Sequence, residues 1–271
     1  MKPSLLSLLL SCVLMPLVVL AEDQSLGRES GEDLHVSDPL EGFNRGIFWF
    51  NDHLDVYLVE PIARRYDKYV PEQAKDSVGN FFNNLRYPSY LVSDLVQLRF
   101  GEAAKDTGRF LVNSTLGVAG LFDVANEIGW KEKEKDFALA LASHDVGPGA
   151  YIVLPILGPS NVRDAFGKGV DFFLSPWTYL RYTSLSDEHA AYVALGARSI
   201  DLLDQRASLL EAVDAGKSSS LDYYLFVQSA YYQHRNGMLA KMSSEGEVQD
   251  QKHVPTDEEL LNDELQVDPA R

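Results

Sequence analysis

The stretch Asp38-Pro39-Leu40-Glu41-Gly42-Phe43-Asn44-Arg45-Gly46-Ile47-Phe48-Trp49-Phe50-Asn51 sets the terms for the whole chain. Phe43, Ile47, Phe50 and Leu54 recur at i, i+4, i+7 and i+11, the spacing of one helix face. Phe48 and Trp49 fall off that stripe, so the helix is apolar on more than one side. Such a helix alone in water is a liability; it suits a helix packed on two sides or one lying at a lipid interface. Helical periodicity continues downstream without an alternating strand ladder, which predicts a mainly α body.

Val56 to Pro61 reads as extended or helical. Pro71 precedes a helix over 72–85, stopped by Tyr87-Pro88. Ser89 to Arg99 and Glu102 to Leu116 are further helices separated by Gly101. The second is expected to turn Ala103, Phe110, Leu111 and Leu116 inward and Glu102, Lys105, Asp106 and Arg109 outward. Gly117 to Phe122 is a glycine-flanked apolar turn, and Trp130 to Asp136 reads as a solvated charge run. Tyr151 to Leu157, bounded by Gly-Pro pairs and holding Pro155, is short for a helix and predicts an irregular hairpin or loop. Ser160 then caps a helix that opens with Arg163-Asp164, where Gly167 and Gly169 permit close approach. Asp187 caps a long helix to about Ala215, ended by Gly216, and Leu221 to Met242 is the last. No period of 20 to 50 residues recurs, which excludes a solenoid.

The body is only mildly acidic, although the 271-residue chain carries a net charge of −16. Glu22 to Gly42 holds seven acids against one base, and Lys241 to Arg271 holds nine against three, so the acidity sits on two solvated arms. This balance excludes nucleic acid as a partner, which would demand a basic face. Between Lys2 and Glu22 there is no charge, Pro16 breaks the apolar run, and Val19-Leu20-Ala21 places small or β-branched side chains at its end. The pattern is an export signal cleaved after Ala21. Leu9-Leu10-Ser11-Cys12 formally matches a lipoprotein box and keeps lipidation at Cys12 open. The organisation expected is a signal over 1–21, an acidic arm over 22–37, one helical domain over 38–242 and an acidic, disordered tail over 243–271.

Catalytic constellations are missing. Cys12 is the only cysteine, so a disulfide scaffold, a cysteine zinc site and a thiol nucleophile in the body are excluded. No two of the six histidines lie closer than 18 residues, and neither a G-x-S-x-G elbow nor a P-loop occurs. His144-Asp145 reads as a loop pair and Arg163-Asp164 as a structural ion pair. These features predict no enzyme and no cofactor. What stands out is apolar surface in Phe43–Phe50 and Tyr151–Leu157.

Four ordered blocks resemble the MlaA (VacJ) family. The first is Asp38 to Arg45 with Phe48, Phe50-Asn51, Leu54-Asp55 and Pro61. The second runs from Asn84-Leu85 and Pro88 through Arg109 to Gly117 and Gly120 to Ala125. The third joins Gly147 to Tyr151 with Leu154 to Ser160 and Arg163-Asp164; the last is Asp222 to Tyr224 with Ala230 to Arg235. The resemblance implies a single ring-like, mainly α domain with flat amphipathic helices in the inner leaflet of the outer membrane. It implies an amphipathic channel carrying mislocalised phospholipid to a soluble periplasmic carrier, association with a trimeric porin, and no cofactor. Phe43, Asn44, Ile47, Phe48, Phe50 and Asn51 would then belong to the channel and lipid interface. Gly147, Gly149, Tyr151, Leu154, Pro155 and Gly158 would form the gating loop. An alternative is a non-transporting periplasmic lipid-binding or adaptor domain on the same fold. Three departures are visible: Cys12 lies mid-signal where the usual family member has its lipidated cysteine at the signal's end, Gln228 stands where the family commonly has arginine, and Ala138 to Asp145 lacks the expected glycine-rich pattern.

Overall fold

The computed structural model describes residues 38–183 and 185–251. The signal with Ala21 and Cys12, the arm over 22–37 and the tail beyond Gln251 lie outside the described residues. The opening motif forms helix α1 (Glu41–Leu54), which passes through a π-helical turn (Asp55–Val59) into α2 (Glu60–Tyr69). Pro61 sits in the first turn of α2, directly after the π turn, and does not end the helix. Helix α3 (Glu72–Leu85) starts after Pro71, and α4 (Tyr87–Val96) carries Pro88 in its first turn. Helix α5 (Phe100–Thr115) contains Gly101; the break before it falls at Leu98, whose φ is +57°. Two short helices follow, α6 (Val124–Glu127) and α7 (Phe137–Ala142), capped by Asp123 and Asp136.

A two-stranded antiparallel hairpin, β1 (Tyr151–Leu154) and β2 (Gly158–Asn161), pairs Tyr151 with Asn161 and Leu154 with Gly158. Helix α8 (Val162–Leu174) leaves β2 directly, and its cap is Asn161 rather than Ser160, which stays in the strand. A 3₁₀ segment (Pro176–Tyr182) leads to α9 (Asp187–Ser208), capped by Ser186. Helix α10 (Leu210–Ser219) begins after a break at Leu209, so Gly216 lies inside it, pressed against the Phe226 ring. Helix α11 runs Tyr223–Gln251.

These elements touch in a closed circuit. Helix α1 lies on β1, β1 on α8, α8 on α7, α7 on α4, α4 on α3, α3 on α9 and α9 on α2, which returns through the π turn to α1. Among the described residues two clusters of buried apolar side chains stand out, one around Ala63, Ala207 and Leu210, the other around Tyr151, Val153 and Tyr224. Helix contacts are close where residues are small: a Cβ on Gly167 would stand 2.6 Å from the Ala138 backbone nitrogen, so α7 and α8 meet almost backbone to backbone. Gly169 faces open space and has no such role.

Helix α5 keeps Ala103 buried and Phe110 stacked on Tyr87, as expected, but departs from the expected facing at its other positions. Asp106 and Arg109 are each only 7% exposed, and Asn113 is buried beside them, while Leu111 and Leu116 lie outside, the latter 70% exposed. The polar face is buried because it is paired. Arg109 Nη2 donates to both Asp123 carboxylate oxygens at 3.0 and 3.2 Å, Asn113 donates to Asp123 at 2.8 Å, and Asn113 accepts the Ala125 N–H at 2.9 Å. The charge run before α7 is likewise structural. Lys135 Nζ sits 2.8 Å from both Asp94 and Asp106, and Asp136 pairs with Arg235.

Candidate functional site

The hairpin and the helix it rests on form the site. Its turn is Pro155-Ile156-Leu157, in which the Leu157 N–H donates to the Pro155 carbonyl at 2.8 Å with Ile156 at φ +66°. That is a γ-turn of the rare positive-φ hand, a costly conformation for a β-branched residue. Gly158 follows at φ +75°, and Gly149, at φ +67° and against the Val162 side chain, lets the chain enter the hairpin. Pro155, Ile156 and Leu157 are all exposed.

Helix α1 meets β1 through two asparagines. Asn44 donates to the Tyr151 carbonyl at 3.0 Å and accepts the Val153 N–H at 2.9 Å; Asn51 donates to the Leu154 carbonyl at 2.9 Å and accepts the Ile156 N–H at 2.8 Å. The edge of β1 is thus paired by side-chain amides where a third strand would otherwise be needed. Asn44 is fully buried and also donates to Asp38 at 2.9 Å.

Beneath the hairpin lies a floor of tyrosines from α11. The Tyr151 ring stands 5.8 to 6.2 Å from those of Tyr224, Tyr231 and Tyr232, and Phe48 packs edge-on against Tyr224 at 5.4 Å. Burial pushes the Tyr151 hydroxyl well above its usual range, and among the described residues this hydroxyl has no hydrogen-bond partner. Tyr224 instead donates to Asp38, and Gln228 reaches the same carboxylate at 3.4 Å.

The far side of the hairpin is tied by charge. Asn161 donates to the Tyr231 hydroxyl at 2.9 Å, Tyr231 donates to Asp164 at 2.5 Å, and Arg235 pairs with Asp164 at 2.7 Å. Burial alone would raise the Asp164 carboxyl, but the Tyr231 hydrogen bond and the Arg235 and Arg163 charges outweigh it and hold it below the usual carboxylate range. Burial depresses Lys168, whose Nζ donates to the Pro159 carbonyl of β2 at 3.1 Å. The hairpin base is therefore fixed on both sides, while the side-chain hydrogen bonds to its tip come from Asn51 among the described residues.

The structure brings the sequence-selected residues together with different surroundings. Phe43 and Phe50 are the exposed side of α1, together with Trp49; Ile47 and Phe48 pack on the tyrosine floor, and Asn44 and Asn51 hold the hairpin. Tyr151 is buried at the hairpin base, Leu154 and Gly158 are partly buried, and Gly147 lies exposed before it. Asp38, Tyr231, Asp164 and Arg235 belong to the site as well. The available signal was that they flank or close the quoted motifs, without any spacing that tied them together. No group of three or more His, Cys, Asp or Glu among the described residues could hold a metal ion.

The fold and site define a mainly α-helical domain that turns its paired charges inward and its aromatic side chains outward, with one short hairpin locked to a helix. The family model for the MlaA lipoprotein matches residues 36–238. An uncharacterized protein of Rickettsia felis is 33% identical over 214 residues, covering 79% of this chain and 82% of its own length. The intermembrane phospholipid transport system lipoprotein MlaA of Escherichia coli K12 is 32% identical over 204 residues, covering 74% of this chain and 77% of its own. A solved structure, described as the structural basis for maintenance of bacterial outer membrane lipid asymmetry, superimposes with a TM-score of 0.64 at 32% identity. It covers 75% of this chain and 99% of that one. The chain belongs to the MlaA family.

Proposed function

We propose that this protein is the outer-membrane component of a phospholipid transport system. It takes mislocalised phospholipid from the outer leaflet through an amphipathic channel bounded by α1 and the hairpin, and passes it to a soluble periplasmic carrier. A trimeric porin is its assembly partner. The observation that carries the reading is the reversed amphipathicity. Asp94, Asp106, Arg109, Arg163, Asp164 and Arg235 are buried and paired, whereas Phe43, Trp49, Tyr57, Leu58, Leu111, Leu116 and Phe122 are exposed. In water such an arrangement exposes apolar surface at a cost, whereas in lipid unsatisfied polar groups are the expensive ones. No helix among the described residues is long and apolar enough to cross a membrane. The apolar surface accordingly belongs in one leaflet, with the helices lying in the interface plane. The phospholipid transport named for the Escherichia coli relative supports the same function.

The hairpin gates the channel. Its base is tied to α1, α8 and α11, its tip is exposed, and it is the single β element among the described residues. Export follows cleavage after Ala21, with lipidation at Cys12 as the alternative anchor. The test is mass spectrometry of the mature protein purified from native outer membranes, read for its N-terminus and bound lipid together. Co-purified phospholipid supports the reading. Protein that leaves the membrane in a high-salt wash and carries no lipid overturns it in favour of a periplasmic adaptor. Leu111→Asp with Leu116→Asp should weaken membrane retention at unchanged helical content, because charge on a lipid-facing surface is costly.

A further inference from the structure

We propose that Asn44 and Asn51 act as a two-point side-chain strand that divides the hairpin into a fixed base and a releasable tip, with Asn51 as the catch. The consequence for transport rests on the gating role proposed above; the latch itself does not.

The two amides make the same connection twice. Each bridges a β1 carbonyl and the N–H two residues further on, Tyr151 and Val153 for Asn44, Leu154 and Ile156 for Asn51. The second bridge is displaced by three residues along the hairpin. Seven residues of helix rise about 10.5 Å. Three residues of strand advance about 10 Å. The i, i+7 spacing on α1 therefore matches the rise of a three-residue step along the hairpin. An odd step would present the opposite edge of a regular strand, and the second amide pairs because the chain has by then left β1 for the turn, with Ile156 at φ +66°. A slip of the hairpin along α1 breaks all four hydrogen bonds together.

The two points differ in surroundings. Asn44 is fully buried, pairs with Asp38 as well, and serves a stretch whose Tyr151 and Val153 side chains are the most buried of their cluster. Asn51 is only partly buried and serves the exposed turn. Its acceptor oxygen holds the N–H of Ile156, the residue kept at φ +66°. A β-branched side chain is strained there, and such conformations persist only where their surroundings over-determine them. Apart from the turn's own Leu157 to Pro155 bond, Asn51 supplies the hydrogen bond to the Ile156–Leu157 backbone among the described residues. The tip is loaded: once Asn51 lets go, Ile156 can leave the left-handed region, while Asn44 still holds Tyr151 and Val153.

The experiment uses the full mature chain in lipid nanodiscs. A nitroxide on Leu157→Cys reports tip motion, the side chain there being exposed. Hydrogen exchange separately reports amides 152–154 and 156–158. Asn51→Leu should raise nitroxide mobility and speed exchange at 156–158 at least tenfold, with 152–154 within twofold of the parent. Asn51→Asp, which keeps an acceptor for the Ile156 N–H but sets a carboxylate against the Leu154 carbonyl, should fall between. Adding Ile156→Asn to Asn51→Leu should restore part of the order, because asparagine tolerates the left-handed conformation. The proposal is overturned if Asn51→Leu leaves the tip protected, if base and tip loosen equally, or if Ile156→Asn restores nothing. Detergent and EDTA sensitivity of a complemented deletion strain is scored separately. A loosened tip with wild-type sensitivity keeps the latch and removes the gating role; a tip that does not loosen removes the latch whatever the sensitivity.

Discussion

Replacing Asn44 with leucine, close in size and without the amide, should unfold the domain at markedly lower temperature. Asn44 is fully buried and makes three hydrogen bonds, to the Tyr151 carbonyl, the Val153 N–H and the Asp38 carboxylate. Asp38 keeps Tyr224 as a donor, so the loss falls on the two backbone groups of β1. Each buried group left unsatisfied costs about 1–3 kcal/mol. The apolar gain of a buried leucine offsets roughly 1.5 kcal/mol of that total, which leaves a net destabilisation of about 0.5–4.5 kcal/mol with a midpoint of about 2.5. For a domain of this size each kcal/mol moves Tm by about 2–4 °C, so the midpoint corresponds to a drop on the order of 5–10 °C. The assay is thermal melting by circular dichroism in a mild detergent, with Phe43→Leu on the exposed face of α1 as the control that should barely move. Asn44→Asp should be worse than Asn44→Leu at neutral pH, since it sets a second carboxylate against Asp38, and should recover on acidification. A Tm for Asn44→Leu within 2 °C of the parent would show that the hairpin edge is satisfied some other way and would refute the pairing argument.

Three further outcomes follow from the packing. Tyr151→Phe removes a buried hydroxyl without a partner and should raise stability by about 1 kcal/mol, measured as a Tm increase of a few degrees; a decrease would mean that the hydroxyl is bonded in solution. Burial, with Asp106 adding to it and Lys135 opposing it, pushes the Asp94 carboxyl up to about 6. A carboxyl raised in the folded state contributes stability that is full below its unfolded value near 4 and is lost as pH rises through 6. Asp94→Asn should therefore raise Tm at pH 7.5 and leave it unchanged at pH 4, and an equal shift at both would contradict the assignment. Gly167→Val drives its side chain into the Ala138 backbone and should cost about 3 kcal/mol or more, seen as loss of the cooperative melt; a normal melt would place α7 and α8 further apart than they stand.

The hairpin and the α5 surface share one physical logic. Both satisfy polar groups inside the protein so that apolar groups can be left outside. The Arg109–Asp123–Asn113 network does for α5 what the two asparagines do for β1. Gln228 fits the same pattern: it adds a neutral donor to an Asp38 already served by Tyr224 and Asn44.

Much of the secondary structure could be read directly from the chain. Prolines at 71 and 88, the apolar run over 151–157 and the Arg163-Asp164 pair mark their elements because backbone sterics and turn chemistry act over a few residues. The four ordered blocks were enough to identify the family. Facing was another matter. Periodicity reports that a helix has two different sides, but which side meets protein depends on what the rest of the chain presents to it. On α5 the apolar side was expected inward; Ala103 is buried, but Leu111 and Leu116 lie outward because Asp123 and Lys135, set in loops, supply the charges that let Asp106 and Arg109 be buried. On α1 the periodicity left open whether the helix packs on two sides or lies at a lipid interface; Phe43 and Phe50 lie exposed while the asparagines pack, because β1, more than a hundred residues away, brings an unpaired edge. The chain alone determined the elements and the family; the tertiary structure decided which faces are inside, since only folding brings each buried polar group its partner.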